Sequence, residues 1–381
     1  MHILSIVGAR PQFVKAAMLV EAVRAHNRRT SAKLRMRHTL VHTGQHYDRN
    51  LSDVFFQQLP LPAPQFNLGV GSGSHGKQTG ELLDRTEQVL LKAKPDVVVV
   101  YGDTNSTVGG SLAAAKLHIP VAHVEAGLRS FNRLMPEEIN RVVTDHLSDV
   151  LFCPTETSIE NLKNEGITKG VYLTGDVMLD AVLNFRKVAE KRSQVLKQLK
   201  LRNSEYILLT VHRAENTDSA ERIEEIVELL TSVKQPVVFP IHPRTKHKLE
   251  STRSLRSLAK TLFGASHMRV IDPVSYLDML ALENNARVVL TDSGGVQKEA
   301  YFLGVPCLTL RGETEWTETL KGGWNRLVDT NPKKTIPVLE SLWSNNGLRP
   351  VGRPNLAAFG GGKAAVFMVR QLVKEVSAKR N

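Results

Sequence analysis

The stretch Val288–Leu310, VVLTDSGGVQKEAYFLGVPCLTL, decides how the chain is read. Val288-Val289-Leu290 is a short apolar, β-branched run of the kind that forms a buried strand. Asp292-Ser293-Gly294-Gly295 reads as a turn. Val296–Leu303 reads as a helix stopped by Gly304 ahead of Val305-Pro306, with a second strand at Cys307–Leu310. The result is a β-turn-α-β unit with two glycines at the helix start. Glycine lets backbone come close to a ligand, and free N–H groups at a helix start attract anions. On this segment alone, an ordinary tight βα turn is the simpler reading.

The same alternation runs through the chain. Strands are expected at His2–Val7, Arg37–Thr43, Val97–Tyr101, Val121–Glu125, Val150–Cys153 and Val171–Thr174, with helical stretches between them, such as Gln12–His26, Gly76–Lys94, Ser106–Leu117 and Glu137–Leu147. Asp176–Lys200 is a long, increasingly charged helical stretch without a strand and reads as a bridge. Beyond it come strands at Tyr206–Val211, Pro236–Ile241, Met268–Ile271, Arg287–Thr291 and Pro306–Leu310, and helices at Ala220–Val233, Ser275–Asn284 and Val296–Leu303. Strands alternating with helices imply parallel sheets with crossover helices, so the expected class is α/β, two doubly wound domains facing a central cleft. The domains are expected at residues 1–178 and 179–363, with the terminal helix, 364–381, packing back on the first. Ligands of such sheets bind beyond the carboxyl ends of the strands, so a functional motif should follow a strand.

Composition narrows the classes. The 381 residues exceed what one core usually serves, and 41% hydrophobic with 23% charged residues is ordinary for a globular protein. The longest apolar strand-like run, Val97–Tyr101, is far too short to span a membrane, and Ile3–Val7 reads as a first strand where a signal peptide would stand. Cys153 and Cys307 both sit in apolar surroundings and read as buried thiols. The cytoplasm is the expected compartment. A net charge of +12 suits nucleic acid, a membrane surface or a phosphorylated small molecule, but the basic residues are scattered and aromatics make up only 6%. Neither nucleic acid nor a membrane is expected as a partner.

Charged and polar residues gather at the strand ends. Arg10 and Lys15 bracket a helix start after the first strand, with Pro11 suited to the first helical position. Asp103 follows Val97–Tyr101, where it could cap the next helix. Glu125 closes the next strand, and Glu137 and Glu138 follow Pro136, with Arg129, Arg133 and Arg141 nearby. Carboxylates brought together repel, which raises at least one pKa toward the range that acid/base work needs. Taken singly, each also reads as a cap or a salt-bridge partner. In the second half His212-Arg213, then His242 and Arg244, then Ser293-Gly294-Gly295 follow successive strands, an edge suited to a phosphate, with Glu299 one helical turn further on. The histidines lack the tight spacing of a metal site, no GxGxxG follows an expected strand, and there is no P-loop or nucleophile elbow. No metal and no cofactor are expected.

Together these residues resemble the non-hydrolysing UDP-N-acetylglucosamine 2-epimerases. The motifs are GARPQFVK (Gly8–Lys15), HTGQHYD (His42–Asp48), YGDTNST (Tyr101–Thr107), HVEAGLRS (His123–Ser130), MPEEINR (Met135–Arg141), CPTETS (Cys153–Ser158), HRAEN (His212–Asn216), HPRT (His242–Thr245) and TDSGGVQKEA (Thr291–Ala300). The resemblance implies two Rossmann-like domains of glycosyltransferase-B type, a homodimer, and a UDP-linked 2-acetamido sugar inverted at C2 without NAD or metal. It assigns acid/base work to Asp103, Glu125 and Glu137, stabilisation of the departing diphosphate to Arg10, Lys15, His212, Arg213 and the Ser293-Gly294-Gly295 amides, and the ribose to Glu299. Gln45 and His46, with Arg213 and His242, match a neighbouring regulatory site of some members. Lys77-Gln78 departs from the Arg-Gln pair those members carry, and Phe359–Ala364 departs from the usual acidic tail motif. GVGSGSHGKQTG, HRAEN and GVQKEA also resemble members acting on UDP-2,3-diacetamido-glucuronic acid, whose extra carboxylate would suit Arg133. A hydrolysing epimerase, a glycosyltransferase of the same fold and a non-enzymatic UDP-sugar sensor remain as rivals.

Overall fold

The strands are built from runs that are apolar on both faces, which is what a parallel sheet covered by helices requires. Val97–Tyr101, VVVVY, is buried at every position. In the computed structural model, residues 1–44, 59–251, 253–344 and 350–378 are described. The chain divides into two compact units, one of Met1–Ala181 with Leu356–Asn381 and the other of Val182–Asn355.

The first unit holds β1 (His2–Val7), β2 (Arg37–His42), β3 (Phe66–Asn67), β4 (Val97–Tyr101), β5 (Val121–Val124), β6 (Val150–Cys153) and β7 (Val171–Leu173). They form one parallel sheet in the order β3-β2-β1-β4-β5-β6-β7. The second unit repeats the design with β8 (Ile207–Thr210), β9 (Val237–Pro240), β10 (Met268–Ile271), β11 (Val288–Thr291), β12 (Cys307–Thr309) and β13 (Asn325–Leu327), ordered β10-β9-β8-β11-β12-β13. In each sheet the winding reverses once, between β1 and β4 and between β8 and β11. Chain leaving these neighbouring strands diverges to opposite faces, and the crevice so opened is where an open α/β sheet binds its ligand. The α/β class with two doubly wound sheets is therefore as read from the sequence.

Helices cover the sheets because each buries one apolar stripe. His75–Ala93 turns Leu82, Val89 and Leu90 inward against Leu4, Val98 and Val100 of the sheet. In the second unit Ala220–Ser232 buries Ile223, Ile226, Val227, Leu229 and Leu230 in the core formed with β8, β9 and β11. Each such side chain taken fully from water contributes about 1.5–3 kcal/mol. Ala364–Ala378 packs on Arg10–Arg28 within the first unit, where the backbone N–H groups of Ala364 and Ala365 donate to Asp180. Cys153 and Cys307 are buried and unpaired. Among the described residues no single helix is long and apolar enough to cross a membrane.

Several details differ from the expectation. The helix after β11 is Gly294–Leu303, so both glycines belong to its first turn, Ser293 is the N-cap, and only Asp292 and Ser293 form the turn. The helix after β1 starts at Arg10, with Pro11 inside its first turn. The bridge is Val177–Arg192, a break at Ser193-Gln194, and a short turn of helix at Val195–Gln198. Two short strands, β3 and β13, and the helices Pro243–Leu249, Arg253–Phe263 and Pro332–Trp343 were not expected.

Candidate active site

At the reversal point of the first sheet, the turn after β1 is tied to the end of β4 by one side chain. The Gln12 carbonyl accepts from the backbone N–H groups of Gly8 (2.7 Å) and Ala9 (3.0 Å), and its amide donates to the Tyr101 carbonyl (2.6 Å) and to Thr104 and Thr107. This holds the start of Arg10–Arg28 beside Gly102-Asp103. The N-cap, Ala9, has no side-chain acceptor for the first helical N–H groups, and Arg10 lies at this helix start.

Lys15, one turn inside the helix, is ion-paired with Glu125, and both side chains are buried. Glu125 follows β5 directly and takes a left-handed backbone (φ 71°), rare for a residue with a side chain. Gly102 adjoins the pair and is itself left-handed. Its φ is +64°, and a Cβ there would stand 3.4 Å from Glu125 Oε2 and 3.5 Å from Lys15 Nζ. Asp103 does not cap the following helix, whose N-cap is Thr104. Its carboxylate instead accepts a hydrogen bond from Nε of the buried Arg141 (3.0 Å) and is ion-paired with the same guanidinium, whose Nη2 lies 2.9 Å away. Arg141 lies on Pro136–Leu147, and its other arm pairs with Glu138.

The two neighbouring glutamates of that helix have separate tasks. Glu138 is buried and accepts from the backbone N–H groups of Ser130 (2.9 Å) and Phe131 (3.0 Å), from the Ser130 hydroxyl and from Arg141. Its acceptor capacity is used in holding the loop. Glu137 is half-buried on the same first turn. His123 fixes the far side: one ring nitrogen lies 2.7 Å from Asp145 and the other 2.8 Å from the Gly102 carbonyl. Burial opposes the charge on Asp145, but His123 and then Arg129 outweigh it and hold this carboxyl below its usual range. Arg129 is thereby a structural cation, paired with Asp145 and Glu165, whereas Arg133 is exposed. Gln78 is buried and hydrogen-bonded to the Gly71 carbonyl and the Asn105 amide, while Lys77 is exposed.

At the reversal point of the second sheet the organising residue is Asp292. Its buried carboxylate accepts from the backbone N–H of His212 (3.0 and 3.1 Å) and of Arg213 (2.9 Å), and from the Asn216 amide (3.2 Å). The loop after β8 is thus tied to the turn before Gly294–Leu303. No side chain caps that helix, so its first N–H groups keep the partial positive charge that binds anions. Gly294 packs closely: a Cβ there would meet Glu315 Oε1 at 2.5 Å. His242 is the N-cap of Pro243–Leu249, its ring 5.4 Å from the His212 ring. Glu299 is buried one turn past Gly295.

The carboxylates and cations singled out from sequence therefore stand at the strand ends in both units. Sequence reasoning gave no role to Gln12 or Asp145 and took Asp292 only as part of a turn, yet these three hold them there. Gln45 and His46 lie outside the described residues. Among the described residues no cluster of His, Cys, Asp and Glu could hold a metal ion.

The family model for UDP-N-acetylglucosamine 2-epimerase matches residues 28–373. A UDP-N-acetylglucosamine 2-epimerase homolog of Methanococcus maripaludis is 50% identical, over 98% of this chain and 99% of its own. The UDP-2,3-diacetamido-2,3-dideoxy-D-glucuronate 2-epimerase of Pseudomonas aeruginosa is 45% identical over 98% of this chain and 100% of its own. The crystal structure of Methanocaldococcus jannaschii UDP-GlcNAc 2-epimerase in complex with UDP-GlcNAc and UDP superimposes with a TM-score of 0.87 at 44% identity, covering 98% of this chain and 100% of that one. The chain belongs to the UDP-N-acetylglucosamine 2-epimerase family, a family of nucleotide-sugar isomerases.

Proposed function

We propose that this chain interconverts UDP-N-acetylglucosamine and UDP-N-acetylmannosamine by eliminating and re-adding UDP. The observation that carries this reading is the Lys15–Glu125 pair beside Asp103, ionisable groups of both signs at the reversal point of the first sheet. A base takes the proton from C2, the C1–O bond breaks, and its electron pair leaves with UDP while C1=C2 forms. The 2-acetamidoglucal then receives a proton at C2 on the opposite face as a UDP oxygen adds back to C1. Asp103, Glu125 and Glu137 are the acid/base set. The Ser293-Gly294-Gly295 amides, His212 and Arg213 are assigned to the diphosphate, as are Arg10 and Lys15; His242 stands beside His212, and Glu299 is assigned to the ribose. The chemistry needs neither NAD nor a metal. We assign the enzyme to the cytoplasm, as a homodimer supplying a surface-polysaccharide precursor.

A second substrate is favoured by one observation. The Pseudomonas relative, named for the diacetamido-glucuronate sugar, is as similar to this chain as several relatives named for UDP-N-acetylglucosamine. Exposed Arg133 would meet the added carboxylate. Proton NMR of the protein with UDP-N-acetylglucosamine in deuterated buffer, without NAD or metal, tests the proposal. Deuterium at C2 together with UDP-N-acetylmannosamine supports it. Free N-acetylmannosamine plus UDP would make the enzyme hydrolysing. UDP binding without turnover would direct the same experiment to the diacetamido-uronate.

A further inference from the structure

Glu283 has no part in the chemistry above, yet it is an acidic side chain with 0% exposure. It lies on the helix Tyr276–Asn285, packed against Gly294–Leu303, which carries Glu299. Neither of its carboxyl oxygens finds a hydrogen-bond donor in the ordinary sense among the described residues, and the group it does meet, within hydrogen-bonding reach, is the Glu299 carboxyl. Glu299 is itself only 7% exposed. The ionisable groups facing Glu283 are Glu299, Tyr276 two helical turns earlier on the same face, Tyr206 at the entrance to β8, and Cys307 on β12. None of these carries positive charge.

Two carboxylates in contact and away from water cannot both stay ionised. Burial first, and the charge of Glu299 second, push the Glu283 carboxyl well above the carboxylate range. A neutral carboxyl differs from a carboxylate in having one O–H to donate. Among the groups named, Glu299 gains most by accepting that proton, because its charge strengthens the hydrogen bond. We propose that Glu283 is a positioning residue: its protonated carboxyl donates to Glu299 and fixes that side chain as the charged acceptor for the ribose hydroxyl pair. The inference rests on the ribose reading of Glu299 given above. It explains why the fold keeps an acid where a leucine or methionine would pack without desolvating a polar group. Tyr276, whose buried hydroxyl also faces Glu299, limits the other side.

The test measures binding of UDP and of 2′,3′-dideoxy-UDP to the full chain by titration calorimetry. Dideoxy-UDP lacks the hydroxyl pair, so the ratio of the two affinities isolates what Glu299 contributes, and its own affinity reports an intact fold. The wild type should prefer UDP by roughly tenfold to a hundredfold, the range of hydrogen bonds to a charged acceptor. Glu299→Ala should bring the ratio near unity; if it leaves the ratio unchanged, the ribose reading itself is wrong. Glu283→Leu should lower the ratio nearly as far with dideoxy-UDP affinity retained, and Glu283→Gln, whose amide still donates, should restore it. A collapsed ratio in Glu299→Ala with a wild-type ratio in Glu283→Leu overturns the positioning role alone. Should Glu283→Leu fail to bind dideoxy-UDP, the pH dependence decides. The wild-type ratio should fall at alkaline pH as the shared proton leaves, and Glu283→Gln should stay flat; the same fall in both overturns the proposal.

Discussion

Lys15 and Glu125 come from different crossover units, 110 residues apart in sequence, and meet as a buried ion pair under the left-handed backbone of Gly102. Neither charge has water to fall back on, so each depends on the other. Lys15→Met leaves Glu125 buried without its cation, and Glu125→Gln leaves Lys15 likewise. Each should lower kcat by about 10²–10⁴-fold, the usual contribution of a positioned acid or base. Because each single change already breaks the pair, the double variant should lose little more than either alone. Steady-state turnover of the four proteins, with UDP affinity as the fold control, checks this. Full additivity would mean the two residues act separately.

Glu137 and Glu138 adjoin in sequence and differ in what their carboxylates touch. Glu138 is consumed by two backbone N–H groups, the Ser130 hydroxyl and Arg141. Glu138→Gln should destabilise the fold by about 2–3 kcal/mol, since a buried charge-assisted set is lost around Arg141. Glu137→Gln should leave thermal stability near wild type and remove turnover. Melting temperature and kcat measured on both variants separate the roles; the reverse pattern would move the acid/base assignment to Glu138.

How much of this could be read beforehand follows from the range of the interactions. The strands at Val97–Tyr101 and Val288–Thr291 are legible because burial on both faces demands continuous apolar runs. The motifs are legible because sheet topology places whatever follows a strand at the binding edge. β3 and β13 are two and three residues long and carry no pattern of their own; their neighbours β2 and β12 make them strands. Pro332–Trp343 had a start signal in Asn331-Pro332, but Pro337 in its middle argues against a helix. Glu283, Asp292 and Gln12 look like ordinary polar residues because their partners lie in another element. Only the fold brings Asp292 to the N–H groups of His212 and Arg213, some eighty positions earlier.

Gly294 and Gly295 occupy successive positions of one helix turn but differ in surroundings. A Cβ on Gly294 would meet Glu315 Oε1 at 2.5 Å, and Glu315 is held by buried Arg311, so the clash has no cheap release. Gly294→Ala should cost about 1–3 kcal/mol of stability and weaken UDP binding. A Cβ on Gly295 meets only the Ser293 hydroxyl, at 3.8 Å. Gly295→Ala should therefore hold or gain stability, by up to about 1 kcal/mol from helix propensity. If the diphosphate sits on these amides, it should still lose UDP affinity, because the added methyl stands where the ligand approaches. A stable Gly295→Ala protein with unchanged UDP affinity would place the diphosphate elsewhere.

Asp180 ties the terminal helix to the rest of the first unit, and the tie titrates. Its carboxyl oxygens accept from the N–H groups of Ala364 (3.1 Å) and Ala365 (2.9 Å). Burial raises the group from 3.8 to about 6; the two N–H groups pull the other way, and Asp176 adds a smaller repulsion. The folded protein thus holds this proton more tightly than the unfolded chain. The stabilisation is fully present below the unfolded value and is lost as pH rises through the folded one, so the window runs from near 4 to near 6 and spans on the order of 3 kcal/mol. Asp180→Asn stays neutral throughout and keeps one acceptor for the helix end. Its melting temperature relative to wild type should rise by several degrees between pH 4 and pH 7, with the other carboxylates cancelling in the comparison. A difference that stays level would show that the two N–H groups just offset burial. One that falls would show the carboxylate to be the stabilising form.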